Sequence, residues 1–249
     1  MFTPTISCVR PKILFPWFAM RAYVDCWRLG RFGVIKLRRY FAPGLVEQLR
    51  TAAQRIYAER TTAAAEVQSL PKAERRLRMR QMSTISLDSL LAGDSRFLQV
   101  LISKRVRNLA RIYLGKEPSL DPNSHIRQVV PGGDIQSLPF HQDQSVLRKP
   151  LLNVWVPLDS CGTTAPSLEV VVTASRRLLD VSGDPSDTIP VERVRLNEDA
   201  VLATYGSQSL WHPALGPGDA LVFSGTTVHR SYVTRNMTEP RMSVELRLV

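Results

Sequence analysis

The sequence predicts a mainly β fold, a double-sheet jelly roll of the double-stranded β-helix (cupin-like) kind, built on a helical N-terminal part. Three observations predict it. After Pro122 the chain breaks into short apolar runs separated by Gly, Pro and Asp turns. About eight such runs follow, with no helical period between most of them, which is how two packed sheets read. Upstream, residues 25–120 instead carry apolar positions at helical spacing.

From the N-terminus, the stretch Ile13-Leu14-Phe15-Pro16-Trp17-Phe18-Ala19 follows basic residues. It is short, broken by Pro16 and lacks a small-residue cleavage site, so it makes a poor signal peptide. Residues 1–25 are expected to form a loosely held arm, with Met20 as an alternative start. Residues 26–249 are expected to form one domain, with helical support over 26–120 and the jelly-roll core over 121–249. Pro43 suits the first position of a helix, after which Leu45, Val46, Leu49, Ala53, Ile56 and Tyr57 recur on one face. A second helix is expected over Ser95–Leu114, closed by Gly115. Between them lies a polar, basic segment with a break at Gly93-Asp94. There Lys72, Arg75, Arg76, Arg78 and Arg80 would share a basic helix face.

The expected strands are 125–130, 138–146, 151–158, 168–173, 200–204, 219–224, 226–233 and 242–249. The last alternates, with Met242, Val244, Leu246 and Leu248 facing one way and Ser243, Glu245 and Arg247 the other. Residues 174–199, rich in Asp, Ser, Gly and Pro, interrupt the series and have the length of a lid.

Composition narrows the function. Cys8, Cys26 and Cys161 are too few and too scattered for a disulfide framework or a zinc knuckle, so a reducing cytoplasm is the expected setting. No apolar run is long enough to span a bilayer. The net charge of +11 would attract an anionic partner, or it is a solvated surface with no partner at all. There is no Gly-x-Ser-x-Gly elbow, no phosphate-binding glycine loop and no His-Glu-x-x-His.

One ordered set carries chemistry: His141-Gln142-Asp143, then His229, then Arg241-Met242-Ser243. Two residues apart on an expected strand, His141 and Asp143 would leave the same face. Two imidazoles and a carboxylate can occupy one face of a ferrous ion and leave the other positions open. An arginine with a hydroxyl two residues on suits a second carboxylate, that of 2-oxoglutarate, because a guanidinium grips a carboxylate at two points. Structural zinc, which takes four protein ligands, fits less well. The bland alternative for Arg241 is an ion pair with Glu239 or Glu245.

The residues around these positions resemble the phytanoyl-CoA dioxygenase family. The resemblance rests on Leu138-Pro139-Phe140-His141-Gln142-Asp143, Trp155-Val156-Pro157-Leu158-Asp159, Gly218-Asp219-Ala220-Leu221-Val222-Phe223 and His229-Arg230-Ser231. It covers residues 124–249 well and thins upstream to Gly33-Val34-Ile35-Lys36-Leu37 and the helix after Pro43. Residues 165–176 resemble a family segment ending Gly-Ser-His, but here the end is Ala174-Ser175-Arg176.

The resemblance implies Fe(II) on His141, Asp143 and His229, and 2-oxoglutarate held by Arg241 and Ser243. It also places Trp155 near the metal, where a plain core aromatic is the alternative. Arg127, Gln128 and Gln136 are further candidates for contact with the cosubstrate or substrate. His125 and His212 are read as structural, with His212 at the cavity border. The implied reaction is hydroxylation of an unactivated C–H bond of a small-molecule, acyl or carrier-linked substrate in specialised metabolism. Asp143 argues against halogenation, which needs that position vacated for chloride. Two other readings remain: a metal-binding jelly roll without turnover, and an oxidative nucleic-acid demethylase. The spacing Arg241-x5-Arg247 resembles the alkylated-base repair dioxygenases, although Ser243 stands where those have Asn. Only the basic charge favours nucleic acid.

Overall fold

The computed structural model describes residues 17–61, 67–90, 100–132 and 137–249. Two antiparallel sheets face each other with a helical layer behind the larger one. The helical part begins with α1 (Trp17–Phe32) and α2 (Pro43–Thr61), followed by α3 (Lys72–Met82), α4 (Leu87–Leu90) and α5 (Lys104–Leu114). The larger sheet contains β1 (Val34–Leu37), β2 (Thr84–Ser86), β3 (His125–Val129), β4 (Leu152–Pro157), β7 (Ala220–Ser224) and β9 (Arg241–Leu248). Its order is β1-β7-β4-β9-β3-β2. The smaller sheet is β6-β5-β8, from β5 (Ser167–Val171), β6 (Leu210–Trp211) and β8 (His229–Tyr232). This is the jelly roll that the strand spacing predicts.

The alternation along β9 separates two of the protein's apolar clusters. Met242, Val244, Leu246 and Leu248 join Val154, Val156 and Ile126 on the outer face, where Val46, Leu49 and Ala53 of α2 and Val106 and Leu109 of α5 pack. Fully burying one such Leu or Val contributes about 1.5–3 kcal/mol, which explains why the helices stay on this face. The opposite face points between the sheets. There Trp155, Leu221 and Phe223 meet Leu168 and Val170 of β5.

Helix ends follow the local chemistry. Ser103 caps α5 by accepting from the Val106 N–H at 3.3 Å, and Gly115 ends it in the left-handed region at φ 71°. The expected helix over 95–114 is therefore shorter. Residues 100–101 are helical, the chain breaks at Ile102-Ser103, and residues 91–99, including Gly93-Asp94, lie outside those described. The basic face on Lys72–Arg80 is helical as read. At the N-terminus, α1 takes up residues 17–25 of the expected arm. Its Asp25 is buried and receives both prongs of Arg105 from α5, at 2.5 and 2.7 Å.

Three expectations fail for identifiable reasons. Residues 200–204 are not a strand but part of α8 (Glu198–Tyr205), which follows α6 (Asp143–Leu147) and α7 (Pro190–Arg193). Asn197 caps α8 by accepting from the Ala200 N–H at 2.9 Å, and Glu198 and Asp199 favour its positive end. Four apolar residues in a row cannot reveal their period, whereas the Asn197 cap is readable. The expected strand over 138–146 is reduced to a single bridge residue, His141, and α6 begins at Asp143. Val34–Leu37, inside the segment read as helical, is an edge strand paired with β7. It starts after Gly33, whose φ is 74° and where a Cβ would lie only 2.8 Å from the Thr173 carbonyl oxygen, leaving no room for a side chain.

Candidate active site

His141 and His229 face each other across an antiparallel bridge. Each N–H donates to the other's carbonyl, at 3.0 and 3.1 Å. Their rings lie 4.2 Å apart. The Nδ1 atoms contact the carbonyls of Pro139 (2.8 Å) and Thr227 (3.0 Å), which fixes Nδ1 as the protonated nitrogen and leaves Nε2 free as a ligand. Gln142 stays extended, φ −126° and ψ 123°, so Asp143 leaves the chain on the same side as His141 even though it opens α6. Asp143 Oδ1 lies 3.8 Å from His141 Nε2, and Oδ2 lies 3.6 Å from His229 Nε2. All three residues are buried, and one ligand atom from each falls within 4.8 Å of the others.

The electrostatics suit a metal. Burial, and then the charge of His229, hold the His141 imidazolium down to about pH 3, so the ring is neutral. Burial alone would raise the Asp143 carboxyl, yet Arg247, His229, His141 and Asn153 bring it down to about 2. Asn153 of β4 donates to Asp143 Oδ2 at 2.8 Å, and Arg247 of β9 approaches Oδ1 at 3.5 Å. Neutral imidazoles and an ionised carboxylate are the forms a cation requires.

The triad opens onto a cavity of about 330 Å³. Apolar and small residues including Leu138, Trp155, Leu168, Phe223 and Ser231 line it together with the charged or ionisable Arg80, His125, Arg127, Glu245 and Arg247, and with Pro190 and Val191 of the 174–199 insertion. Register decides which β3 residues reach it. Arg127 pairs with Ser243 and His125 with Glu245, so both point inward. Gln128 falls on the opposite face with Ile126 and is not part of the lining. Gln136 lies outside the described residues. His212 stacks on Tyr232 at 4.1 Å and sits 3.4 Å from Glu169, away from the cavity lining. Arg176, at the end of the altered family segment, overlies Tyr113 at 5.5 Å.

Arg241 is 2% exposed and pairs with neither Glu239 nor Glu245. Its Nε donates to the Pro166 carbonyl at 3.1 Å, Nη1 donates to Ser243 Oγ, and the Cζ lies 4.9 Å over the Trp155 ring. Burial lowers its pKa to about 10. Among the described residues, no carboxylate answers this charge, and the buried Trp155 Nε1 has no hydrogen-bond partner. Such groups are costly unless something supplies acceptors. A dicarboxylate reaching from the triad toward Arg241 would supply them, so the residues fit both iron and 2-oxoglutarate. Neither Asn153 nor Arg80 is a site residue in the sequence reading, where Arg80 counts only as part of a basic helix face. The first stands two residues from Trp155 on one strand face, a signal that was available; the second needed the tertiary fold.

A jelly roll with two histidines and a carboxylate at its mouth defines a non-haem iron oxygenase. The chain belongs to the phytanoyl-CoA dioxygenase (PhyH) family, whose sequence profile matches residues 29–243, and is an iron- and 2-oxoglutarate-dependent dioxygenase. Among curated proteins none matches the chain. Solved structures share its fold. EvdO2 from Micromonospora carbonacea var. aurantiaca, complexed with 2-oxoglutarate, is 19% identical over 91% of this chain and 89% of its own, with a TM-score of 0.59. EctD from S. alaskensis, with 2-oxoglutarate and 5-hydroxyectoine, is 19% identical over 90% and 74%, TM-score 0.63. The epimerase SnoN, in complex with Fe3+, alpha ketoglutarate and nogalamycin RO, is 15% identical over 92% and 84%, TM-score 0.54.

Proposed function

We propose that residues 26–249 act as one oxygenase unit that hydroxylates an unactivated C–H bond of a small molecule in specialised metabolism. The substrate is free or acyl- or carrier-linked. His141, Asp143 and His229 hold Fe(II), and Arg241 with Ser243 holds the distal carboxylate of 2-oxoglutarate. When bound, iron and 2-oxoglutarate together activate dioxygen, with succinate and carbon dioxide as the cosubstrate's products. The chain's own residues position and protect. Pro139 and Thr227 carbonyls fix the imidazole tautomers, Asn153 and Arg247 keep Asp143 ionised, and Trp155, Leu168 and Phe223 wall off the inner side of the cavity. The free thiols of Cys26 and Cys161 suit a reducing, cytoplasmic setting. Among the described residues no helix is long and apolar enough to cross a membrane.

The observation that carries this reading is the convergence of three ligand atoms with a buried arginine that, among the described residues, has no carboxylate of its own. The test is anaerobic titration of the metal-free protein with Fe(II) and 2-oxoglutarate, following the weak visible charge-transfer band of the chelate. A band lost in His141→Ala and weakened in Arg241→Ala is expected. No band in folded, iron-loaded protein would transfer the reading to a metal-binding jelly roll without turnover.

A further inference from the structure

Gln142 stands between two metal ligands yet serves neither the metal position nor the cavity. Residues 141 and 143 leave the extended chain on one side, so the Gln142 side chain leaves on the other. It is 0% exposed and does not line the cavity. Its amide is wholly committed to main chain. Nε2 donates to the Thr226 carbonyl at 2.6 Å and to the Arg177 carbonyl at 2.9 Å, while Oε1 accepts from the Leu179 N–H at 2.8 Å. Only this orientation of the amide sets donors against carbonyls and the acceptor against an N–H. Thr226 immediately precedes Thr227, whose carbonyl holds His229 Nδ1. Arg177 and Leu179 form the root of the 174–199 insertion.

The far end of the insertion returns to the same place. The Leu196 N–H donates to the Phe140 carbonyl at 2.7 Å. Leu179 and Leu196 pack with Phe140 and Val228, the residues immediately before His141 and His229. Between these two roots, Pro190 and Val191 of α7 reach the cavity lining, and α7 packs against α6. Glu192 adds an ion pair to Arg76 of α3 at 3.5 Å. The segment that roofs the cavity is therefore seated on the backbone that carries the ligands, and the Gln142 amide ties the two together.

We infer that Gln142 is a positioning residue that couples the 174–199 insertion to the metal site: metal binding tightens the roof of the cavity, and a displaced roof weakens the hold on the metal. This rests on the oxygenase reading above. The three ligands cannot settle on one ion unless the 141–143 backbone and the 226–229 turn both hold still. Those same segments fix the Gln142 amide, which in turn fixes Arg177 and Leu179. A shifted insertion would leave the buried amide short of partners, which is unfavourable, so the segments move together or not at all. Such coupling is reciprocal by linkage.

The experiment follows hydrogen exchange of the anaerobic full chain by mass spectrometry with and without Fe(II), beside limited trypsin digestion at Arg176, Arg177, Arg193 and Arg195. In wild type, Fe(II) should slow exchange over 177–196 about fivefold or more and protect those four arginines. Gln142→Met fills a similar space without the three hydrogen bonds. There Fe(II) affinity, measured against a fluorescent chelator, should fall about tenfold. Exchange over 177–196 should then ignore the metal, although 139–143 still slows. A glutamine that only filled the core would leave the metal-dependent protection of the insertion in place, and that result overturns the coupling. Leu179→Pro withdraws the N–H that Oε1 accepts, from the insertion side, and carries the test if Gln142→Met impairs folding. It should weaken Fe(II) binding too, and an unchanged affinity would count against the proposal. Fe(II) that binds wild type without altering the insertion overturns the coupling alone. Failure of Fe(II) to bind wild type overturns the oxygenase reading first, and the coupling with it.

Discussion

Trp155 lines the cavity, and the Arg241 guanidinium overlies its ring at 4.9 Å. A carboxylate held by Arg241 would lie beside Trp155, whose buried Nε1 has no hydrogen-bond partner. Binding of 2-oxoglutarate should change tryptophan fluorescence, and Trp155→Phe should abolish that change although Trp17, Trp27 and Trp211 remain. Arg241→Lys keeps the charge but loses the two-point grip, so the KM for 2-oxoglutarate should rise about 10–100-fold. An unchanged KM would remove Arg241 from the cosubstrate site.

Asn153 holds the ligand carboxylate without touching the metal position. Asn153→Ala should weaken Fe(II) affinity about 10–100-fold, the usual cost of losing a group that orients a ligand. Competition against a fluorescent chelator would measure it. The charge-transfer band, once iron is saturating, should keep its position.

The acid limb of stability should depend on Glu245. Burial alone would raise its carboxyl, but His125, Arg247 and Arg127 hold it at about 2, below an unfolded value of roughly 4.3. Its contribution is thus complete above about pH 5 and lost as pH falls toward 2. Urea unfolding of wild type and Glu245→Gln should differ by a few kcal/mol at pH 7, and the difference should shrink steadily below pH 4.5. A pH-independent difference would contradict the ionic account.

The contact between α1 and α5 should break asymmetrically. Arg105→Ala strands the buried Asp25 carboxylate and should cost about 3 kcal/mol in urea unfolding. Asp25→Ala should cost less, because the Arg105 side chain, 30% exposed, can turn to water.

The triad was legible because chain order and a two-residue spacing suffice to bring ligands together, whether Asp143 sits on a strand or opens a helix. What could not be read is parity. Arg127 and Gln128 are equivalent in a bare strand pattern, and only the pairing of Arg127 with Ser243 sends one inward and the other out. Arg80 was equally hidden. Along α3 it looks like one more member of a solvated basic face, and its entry into the cavity depends on Arg60, about twenty residues upstream. The helix at 198–205 was missed for a different reason, an apolar run too short to show a period, despite the cap at Asn197.

The two histidines belong to the margin of the smaller sheet, while Asp143 is tethered to the larger one through Asn153 and Arg247. An ion on all three would act as a rivet joining the lips of the sandwich, and its binding energy would add to the energy of folding. Stripping the metal would then do more than silence the chemistry. It would loosen the mouth of the barrel and expose this edge first to proteases, so iron supply would govern how long each molecule survives as well as how fast it works.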